Sequence, residues 1–215
     1  MENNTEQFDE LQREIFSELL TDTNGEVVES MLNYNGSEPF INYGVTIAKI
    51  KDTAREYHPY HELALHLFNT NSRELKLAAV YIDSPQYVTE EQMKEWSHSF
   101  SVPEIADNAS TMLFYGAAAA LDTALEWLGE PEKARAALMI AGKRARVKFD
   151  REELEKYKMI LEKSKKITEP KNAVIYAYTG LAKAARELNE EVRKIISSED
   201  TDEYIKTETE WQMEY

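Results

Sequence analysis

Four cations occur within six residues of the sequence, at Lys143, Arg144, Arg146 and Lys148. Side chains of like charge repel one another at this density, and such clusters are typical of surfaces that contact nucleic-acid phosphates. A run of charges is also a common feature of a solvated helix face, so the sequence leaves both interpretations open. The four residues are therefore a candidate DNA-binding surface.

Asp107 is a candidate functional carboxylate because of the helix face on which it lies. At helical spacing it shares that face with Thr111 and Phe114. A different face carries the apolar stripe, which comprises Ile105, Ala109, Met112 and Leu113. This arrangement is typical of a helix that lines a concave surface, although a solvated position is the ordinary fate of an aspartate.

Metal, cofactor and thiol chemistry are not expected. The segment from His61 to His66 is similar to a zinc protease motif but has one residue too many, so its imidazoles lie about 140° apart around a helix. The chain has no Cys, which excludes disulfides and thiolate metal sites and favours a reducing compartment. The sequence contains neither a phosphate-binding glycine loop nor a dinucleotide motif.

The net charge of −15 is unevenly distributed along the 215 residues. Residues 1–132 are strongly acidic, whereas residues 133–196 hold 17 Lys and Arg against 9 Asp and Glu. Residues 197–215 hold one Lys against seven acidic residues, together with several aromatic ones. We predict that any contact with DNA is weak and confined to the basic segment. The acidic end either docks onto that segment or is a simple extension.

Helical periodicity extends through almost the whole chain and predicts an all-α fold of ten to twelve short antiparallel helices. Ser72 is a predicted N-cap, Thr89 with Gln92 forms a predicted capping box, and Pro103 suits the first turn of a helix. The sequence therefore predicts helix starts at three defined positions.

Loosely similar helix–turn–helix stretches recur near residues 67–79, 127–137 and 167–174, which favours a HEAT-like helical solenoid. We predict a single α-helical repeat domain over residues 1–196 and an acidic C-terminal tail over residues 197–215. Trp96 and Trp127 are expected in the core.

Three short stretches, residues 61–68, 73–79 and 89–96, carry a resemblance to a known family. In this order and spacing, with Tyr43 and Gly44 upstream and Asp107 downstream, they resemble the bacterial DNA alkylation repair family of HEAT-like DNA glycosylases. The resemblance is clearest over residues 40–145.

This resemblance implies binding of damaged or distorted duplex DNA and, if the chain is an enzyme, hydrolysis of the N-glycosidic bond of cationic N3- or N7-alkylated purines. Asp107 matches the family's catalytic carboxylate, which stabilises the positive charge that develops on the deoxyribose. Arg135 matches an arginine that contacts a DNA phosphate, although it could simply pair with Glu132. Pro103 and Gly180 stand where the family carries two indole rings.

A second interpretation, from another functional class, is a non-catalytic helical-repeat scaffold that binds a protein partner. The amino terminus shows no secretory signal, and the apolar run from Met112 to Leu121 is about half the length of a membrane span. We therefore expect a cytoplasmic monomer that does not contact membranes and needs no cofactor or metal.

Overall fold

The computed structural model of the protein describes residues 2–26, 28–30 and 39–214. Its helices are α1 (Glu2–Leu19), α2 (Ile47–Arg55), α3 (His61–Phe68), α4 (Arg73–Ile82), α5 (Glu90–Ser97), α6 (Pro103–Asn108), α7 (Ala120–Trp127), α8 (Pro131–Lys148), α9 (Leu154–Ser164), α10 (Lys171–Ala184), α11 (Arg186–Ile196) and α12 (Glu203–Glu214). Residues 25–26 and 28–30 are also helical.

Shorter helical segments complete the secondary structure. Three are 3₁₀ turns, at Leu20–Asp22, Phe114–Gly116 and Arg151–Glu153, and Ala109–Leu113 forms a π-helical segment. Within the described ranges no strand forms, and a single β-bridge joins Ile41 to Ser72. The all-α prediction is confirmed.

The three helix starts that the sequence predicts are also confirmed. The hydroxyl of Ser72 accepts a hydrogen bond from the backbone N–H of Leu75, and that of Thr89 accepts one from Gln92. Pro103 stands in the first turn of α6. These residues either satisfy or remove N–H groups for which a helix start has no internal partner.

The chain divides into two compact units, of which the first comprises residues 1–88 and 101–113. In this unit α4 lies against α2, α3 and α6. Leu63, Leu67 and Leu77 are fully buried in its core. The sequence-based expectation of one repeat domain over residues 1–196 stays a prediction.

The second unit comprises residues 89–100 and 114–215. Here α8 packs on α7 and α10, and α10 packs in turn on α11 and α12. An aromatic cluster fills part of the core, with the Phe100 and Trp127 rings edge to face at a centroid distance of 5.8 Å. Trp96 and Trp127 are both buried, as the sequence predicts.

Candidate nucleic-acid interface

In the first unit, α6 carries the half-buried Asp107 and is held by a buried ion pair. The guanidinium of Arg73 donates from Nε and Nη2 to the two carboxylate oxygens of Glu104, each at 2.7 Å. Its Nη1 donates to the carbonyl of Val45 and to the Glu74 carboxylate. Planar, two-point contacts of this kind fix both position and orientation. They therefore anchor the N-terminal turn of α6.

The Arg73 side chain is only 1% exposed. Burial alone would lower the pKa of Arg73, but the bonds to Glu104 and Glu74 outweigh it and the pKa is raised. A charge so deeply buried is compatible with a stable fold only when it is fully paired. Arg73 is therefore a structural residue of the first unit.

The C-terminal end of α6 is held by a second set of contacts. The Asn108 amide nitrogen donates to the Glu104 carbonyl at 2.8 Å, and the Tyr81 hydroxyl donates to the Asn108 side-chain oxygen. Burial raises the pKa of the Tyr81 hydroxyl, so it remains a neutral donor. Asp107 thus lies on a helix that is supported at both ends.

Immediately after Asn108 the helix widens into the π segment Ala109–Leu113. The Thr111 hydroxyl donates to the carbonyl of Asp107 at 2.6 Å. Segments of π-helix are uncommon and occur frequently at functional sites. The sequence does not predict this widening, because residues 109–113 are compatible with an ordinary continuation of α6.

In the second unit, α8 and α10 approach each other closely at two glycines. A Cβ atom at Gly180 would lie 2.4 Å from the Gly142 carbonyl oxygen, and one at Gly142 would lie 2.8 Å from the Tyr176 carbonyl oxygen. No side chain fits at either position without movement of the backbone. Glycine in a helix interior is destabilising by itself, so close packing is its physical reason here.

Arg146 lies across this crossing. Its Nη1 donates to the Gly142 carbonyl at 3.0 Å and its Nη2 donates to the Thr179 hydroxyl at 2.6 Å. The guanidinium carbon lies 3.9 Å from the centroid of the Tyr176 ring. Burial of the guanidinium lowers the pKa of Arg146 from its ordinary value, although the residue as a whole is exposed. All of these contacts are with neutral groups.

Arg144, two residues earlier, has the opposite environment. Its Nε and Nη2 donate to the carboxylate of Glu153 at 2.9 and 2.8 Å, and its Nη1 donates to the carbonyls of Tyr115 and Ala117. Burial alone would lower the pKa of Arg144, but the bonds to Glu153 raise it. Because the side chain is only 7% exposed, Arg144 connects α8 to the turn at residues 114–117 rather than facing solvent.

Lys143 and Lys148 both contact the same turn at residues 114–117. The Lys143 ammonium is 5.5 Å from the centroid of the Tyr115 ring, and the exposed Lys148 donates to the Gly116 carbonyl at 3.1 Å. In the part of the chain that the structure describes, neither lysine forms an ion pair, and nor does Arg146. We call Lys143, Arg146 and Lys148 the α8 cluster.

Most other cations of the basic segment are neutralised by neighbouring carboxylates. Such pairs join Lys133 to Glu130, Arg151 to Glu187, Lys156 to Asp122, Lys158 to Glu155, Lys165 to Glu162, Lys171 to Asp202, Arg186 to Glu190 and Lys194 to Glu191. Over two turns of one helix, the α8 cluster therefore concentrates positive charge that forms no ion pair with a carboxylate of the described residues.

The sequence-predicted site residues fall into both units. Asp107 belongs to the first unit and the α8 cations to the second. Arg135 is half-buried in the second turn of α8, between the buried Ala134 and Ala136.

The sequence did not predict the roles of Glu104, which anchors α6, and of Tyr176, which stacks on Arg146. The helical glycines at 142 and 180 were the available signal for the second of these, since they mark a close helix crossing.

No metal site or membrane helix is evident among the described residues. They contain no group of three or more His, Cys, Asp or Glu side chains that could hold a metal ion. His61 instead contacts the Asp83 carboxylate at 3.0 Å. None of the described helices combines the length and the apolar character that crossing a membrane requires.

Comparison with solved structures identifies the class of helical fold to which the chain belongs. A solved structure matches with a TM-score of 0.73 and 16% sequence identity, over 94% of this chain and 93% of the other. It is described as "A new family of proteins related to the HEAT-like repeat DNA glycosylases with affinity for branched DNA structures". The fold is therefore of the HEAT-like repeat class, as the sequence predicts.

The profile of the family described as "DNA alkylation repair enzyme" matches residues 15–169, which is most of the chain. The protein belongs to the DNA alkylation repair enzyme family. No curated protein matches its sequence significantly. The family resemblance that the stretches between residues 61 and 96 carry is confirmed.

Proposed function

We propose that this protein binds branched or otherwise distorted duplex DNA through the α8 cluster, formed by Lys143, Arg146 and Lys148. The observation that carries the proposal is the concentration on α8 of positive charge that pairs with no carboxylate in the described part of the chain. Such charge is free to displace the counterions of DNA phosphates, which is the main source of affinity for a nucleic acid. The affinity for branched DNA that is described for the structural neighbour also supports the proposal.

Arg146 is the principal phosphate contact in this proposal. Its N–H groups bond to the Gly142 carbonyl, the Thr179 hydroxyl and Tyr176, and because a guanidinium has five N–H donors, others are left for a phosphate. Stacking on Tyr176 and these two bonds hold the planar group in one orientation. Holding an arginine in place before binding reduces the entropy lost when it meets a phosphate. Arg144 acts here only by positioning the turn beside the cluster.

Linear and branched DNA of matched length provide the test, by fluorescence anisotropy over a range of salt concentrations. Replacing Lys143, Arg146 and Lys148 with Gln is expected to reduce the salt slope by about 0.9 for each phosphate contact removed. Binding should weaken most at low salt, where counterion release contributes most.

The matched control replaces Lys158, Lys165 and Lys194 with Gln, which removes the same charge from three ion-paired lysines of the same unit. We expect the control to keep the slope of the unmodified protein. Equal losses in both triple variants would mean that net charge alone governs binding and would contradict the proposed surface.

Hydrolysis of the N-glycosidic bond of alkylated purines is a second candidate function, and Asp107 would be its catalytic residue. The rigid support of α6 by Arg73 and Tyr81 favours it, because a carboxylate must be held still to stabilise charge in a transition state. The cationic purine is already a good leaving group. The carboxylate therefore only has to stabilise positive charge on the deoxyribose and help to place the attacking water.

Release of 7-methylguanine and 3-methyladenine from duplex DNA measures this activity. Asp107→Asn keeps the side-chain shape but removes its charge, and we expect a loss on the order of a hundredfold in rate. Asp122→Asn, at an exposed aspartate that pairs with Lys156, is the control and should leave the rate unchanged. Equal rates for unmodified protein and Asp107→Asn would reject the assignment.

A further inference from the structure

The outward face of α12 exposes two large aromatic side chains. Tyr204 is 56% exposed and Trp211 is 58% exposed, although the other two tryptophans are buried. Residues seven apart lie on the same side of a helix, so the two rings share one face. Glu203, Glu210 and Glu214 are exposed along the flank of that face.

The inward face of α12 is firmly packed, so the outward face is fixed in place. Ile205 and Thr209 are buried, and α12 lies against α10 and α11. The Asp202 carboxylate accepts backbone bonds from Tyr204 and Ile205 and pairs with Lys171 at 2.7 Å. The bond from Lys171 holds the pKa of Asp202 below its ordinary value, so this anchor remains charged at neutral pH.

Exposed aromatic residues on a well-ordered helix are a feature of protein-binding surfaces. Tyr and Trp are enriched at the centres of protein interfaces because they bury a large area at a small entropic cost. DNA is a poor occupant of this face, because Lys206 is the only cation among residues 197–215, where seven acidic side chains would repel phosphates. In the described residues Glu203, Glu210 and Glu214 form no ion pair.

We propose that the outward face of α12 docks a basic amphipathic segment of a protein partner. The apolar side chains of the segment pack on Tyr204 and Trp211, and its Lys and Arg side chains pair with Glu203, Glu210 and Glu214. Opposite charges steer the encounter and the aromatic pair supplies most of the affinity. The docking is independent of the α8 cluster and of the DNA binding proposed above.

Trp211 itself provides the first measurement, because Trp96 and Trp127 are buried and contribute little to changes at the surface. The probe is a synthetic helical peptide with leucines on one face and Lys and Arg on the other. Its addition to the full chain should shift the tryptophan emission to shorter wavelength and reduce quenching by acrylamide. A decalysine peptide, which has the charge without the apolar face, should bind much more weakly.

Variants then separate the aromatic and the electrostatic contributions to peptide binding. The probe is labelled and its fluorescence anisotropy is measured. Tyr204→Ala with Trp211→Ala should weaken binding by about tenfold or more, as the loss of interface hot spots does. Glu203→Gln, Glu210→Gln and Glu214→Gln together should remove most of the salt dependence. Glu6→Gln, Glu10→Gln and Glu62→Gln, at exposed glutamates of the first unit, should change neither quantity.

Three results would overturn the proposal. Unchanged peptide affinity in the double aromatic variant would show that the probe binds elsewhere. Self-association in sedimentation velocity that disappears in Trp211→Ser would show that a second copy of the chain covers the face. Weaker DNA binding by the double aromatic variant would place DNA there instead. Neutralising the α8 cluster should leave peptide binding intact, which separates this test from that of the DNA surface.

Discussion

The support of α6 in the first unit and the α8 cluster in the second unit use arginine in opposite ways. Arg73 is buried, and two carboxylates and a backbone carbonyl satisfy its guanidinium. Arg146 is exposed and, among the described residues, contacts a carbonyl, a hydroxyl and an aromatic ring. A guanidinium whose charge is already paired stabilises the fold, whereas one held by neutral groups keeps its charge available for a ligand.

Arg144 sharpens the comparison because it differs from Arg146 by only two positions on α8. Arg144 pairs with the carboxylate of Glu153, so its environment is similar to that of Arg73 and differs from that of Arg146. Neither charge nor residue type therefore distinguishes an arginine that supports the fold from the one that we propose as a DNA contact. The acceptor that each guanidinium contacts is what separates the two classes.

The largest expected effect is on stability, from loss of Arg73. Arg73→Met leaves the buried Glu74 and the half-buried Glu104 without the arginine that they share, and we expect the free energy of unfolding to fall by about 3–5 kcal/mol. Urea denaturation followed by circular dichroism measures it. Arg55→Met is the control, because Arg55 forms only an exposed pair with Asp52. A loss below about 1 kcal/mol would place Arg73 with ordinary surface pairs.

The next effect separates Arg144 from Arg146. Arg144→Met is expected to lower the free energy of unfolding by about 1–3 kcal/mol, because the Tyr115 carbonyl loses its arginine donor and the Glu153 carboxylate loses its charged partner. Arg146→Met should cost less than about 1 kcal/mol, as is usual for exposed positions. DNA anisotropy on both variants should show the reverse order, with the greater loss of affinity in Arg146→Met. If the same variant showed the greater loss in both stability and DNA affinity, the proposed distinction between Arg144 and Arg146 would be contradicted.

Gly180→Ala has a smaller effect that links the fold to the surface. The new methyl group would meet the Gly142 carbonyl and Nη1 of Arg146, which lies 2.5 Å from a Cβ at this position. We expect overpacking to cost about 1–2 kcal/mol and to displace the arginine, which weakens DNA binding. Gly129→Ala serves as the control, since its nearest atom is 3.4 Å away. Full retention of DNA affinity in a destabilised Gly180→Ala would show that Arg146 does not need this support.

Local signals in the sequence were sufficient for the fold class and for several helix starts. The caps at Ser72 and Thr89 and the proline at Pro103 act through neighbours within one turn, so the sequence predicts them directly. The burial of Trp96 and Trp127 follows equally well from their apolar character. The family resemblance likewise rested on short contiguous stretches.

Partners that lie far apart in the sequence were beyond this reasoning. Charge density predicted four equivalent cations near residue 146, but the structure buries Arg144 because Glu153 and the turn at residues 115–117 come together around it. The pairing of Arg73 with Glu104 spans 31 residues. Such contacts depend on how helices pack, and helical periodicity carries no information about which charges meet.

The close approach of Gly142 and Gly180 also constrains the order in which this chain could accumulate substitutions. The family resemblance places an indole at position 180, yet the space for even one methyl group there is taken by the Gly142 carbonyl and the Arg146 side chain. A mutation that introduced the indole first would meet a steric barrier. An aromatic side chain at position 180 would need a prior shift of α8 or a shorter side chain at 146, so its introduction depends on an earlier change elsewhere in the chain.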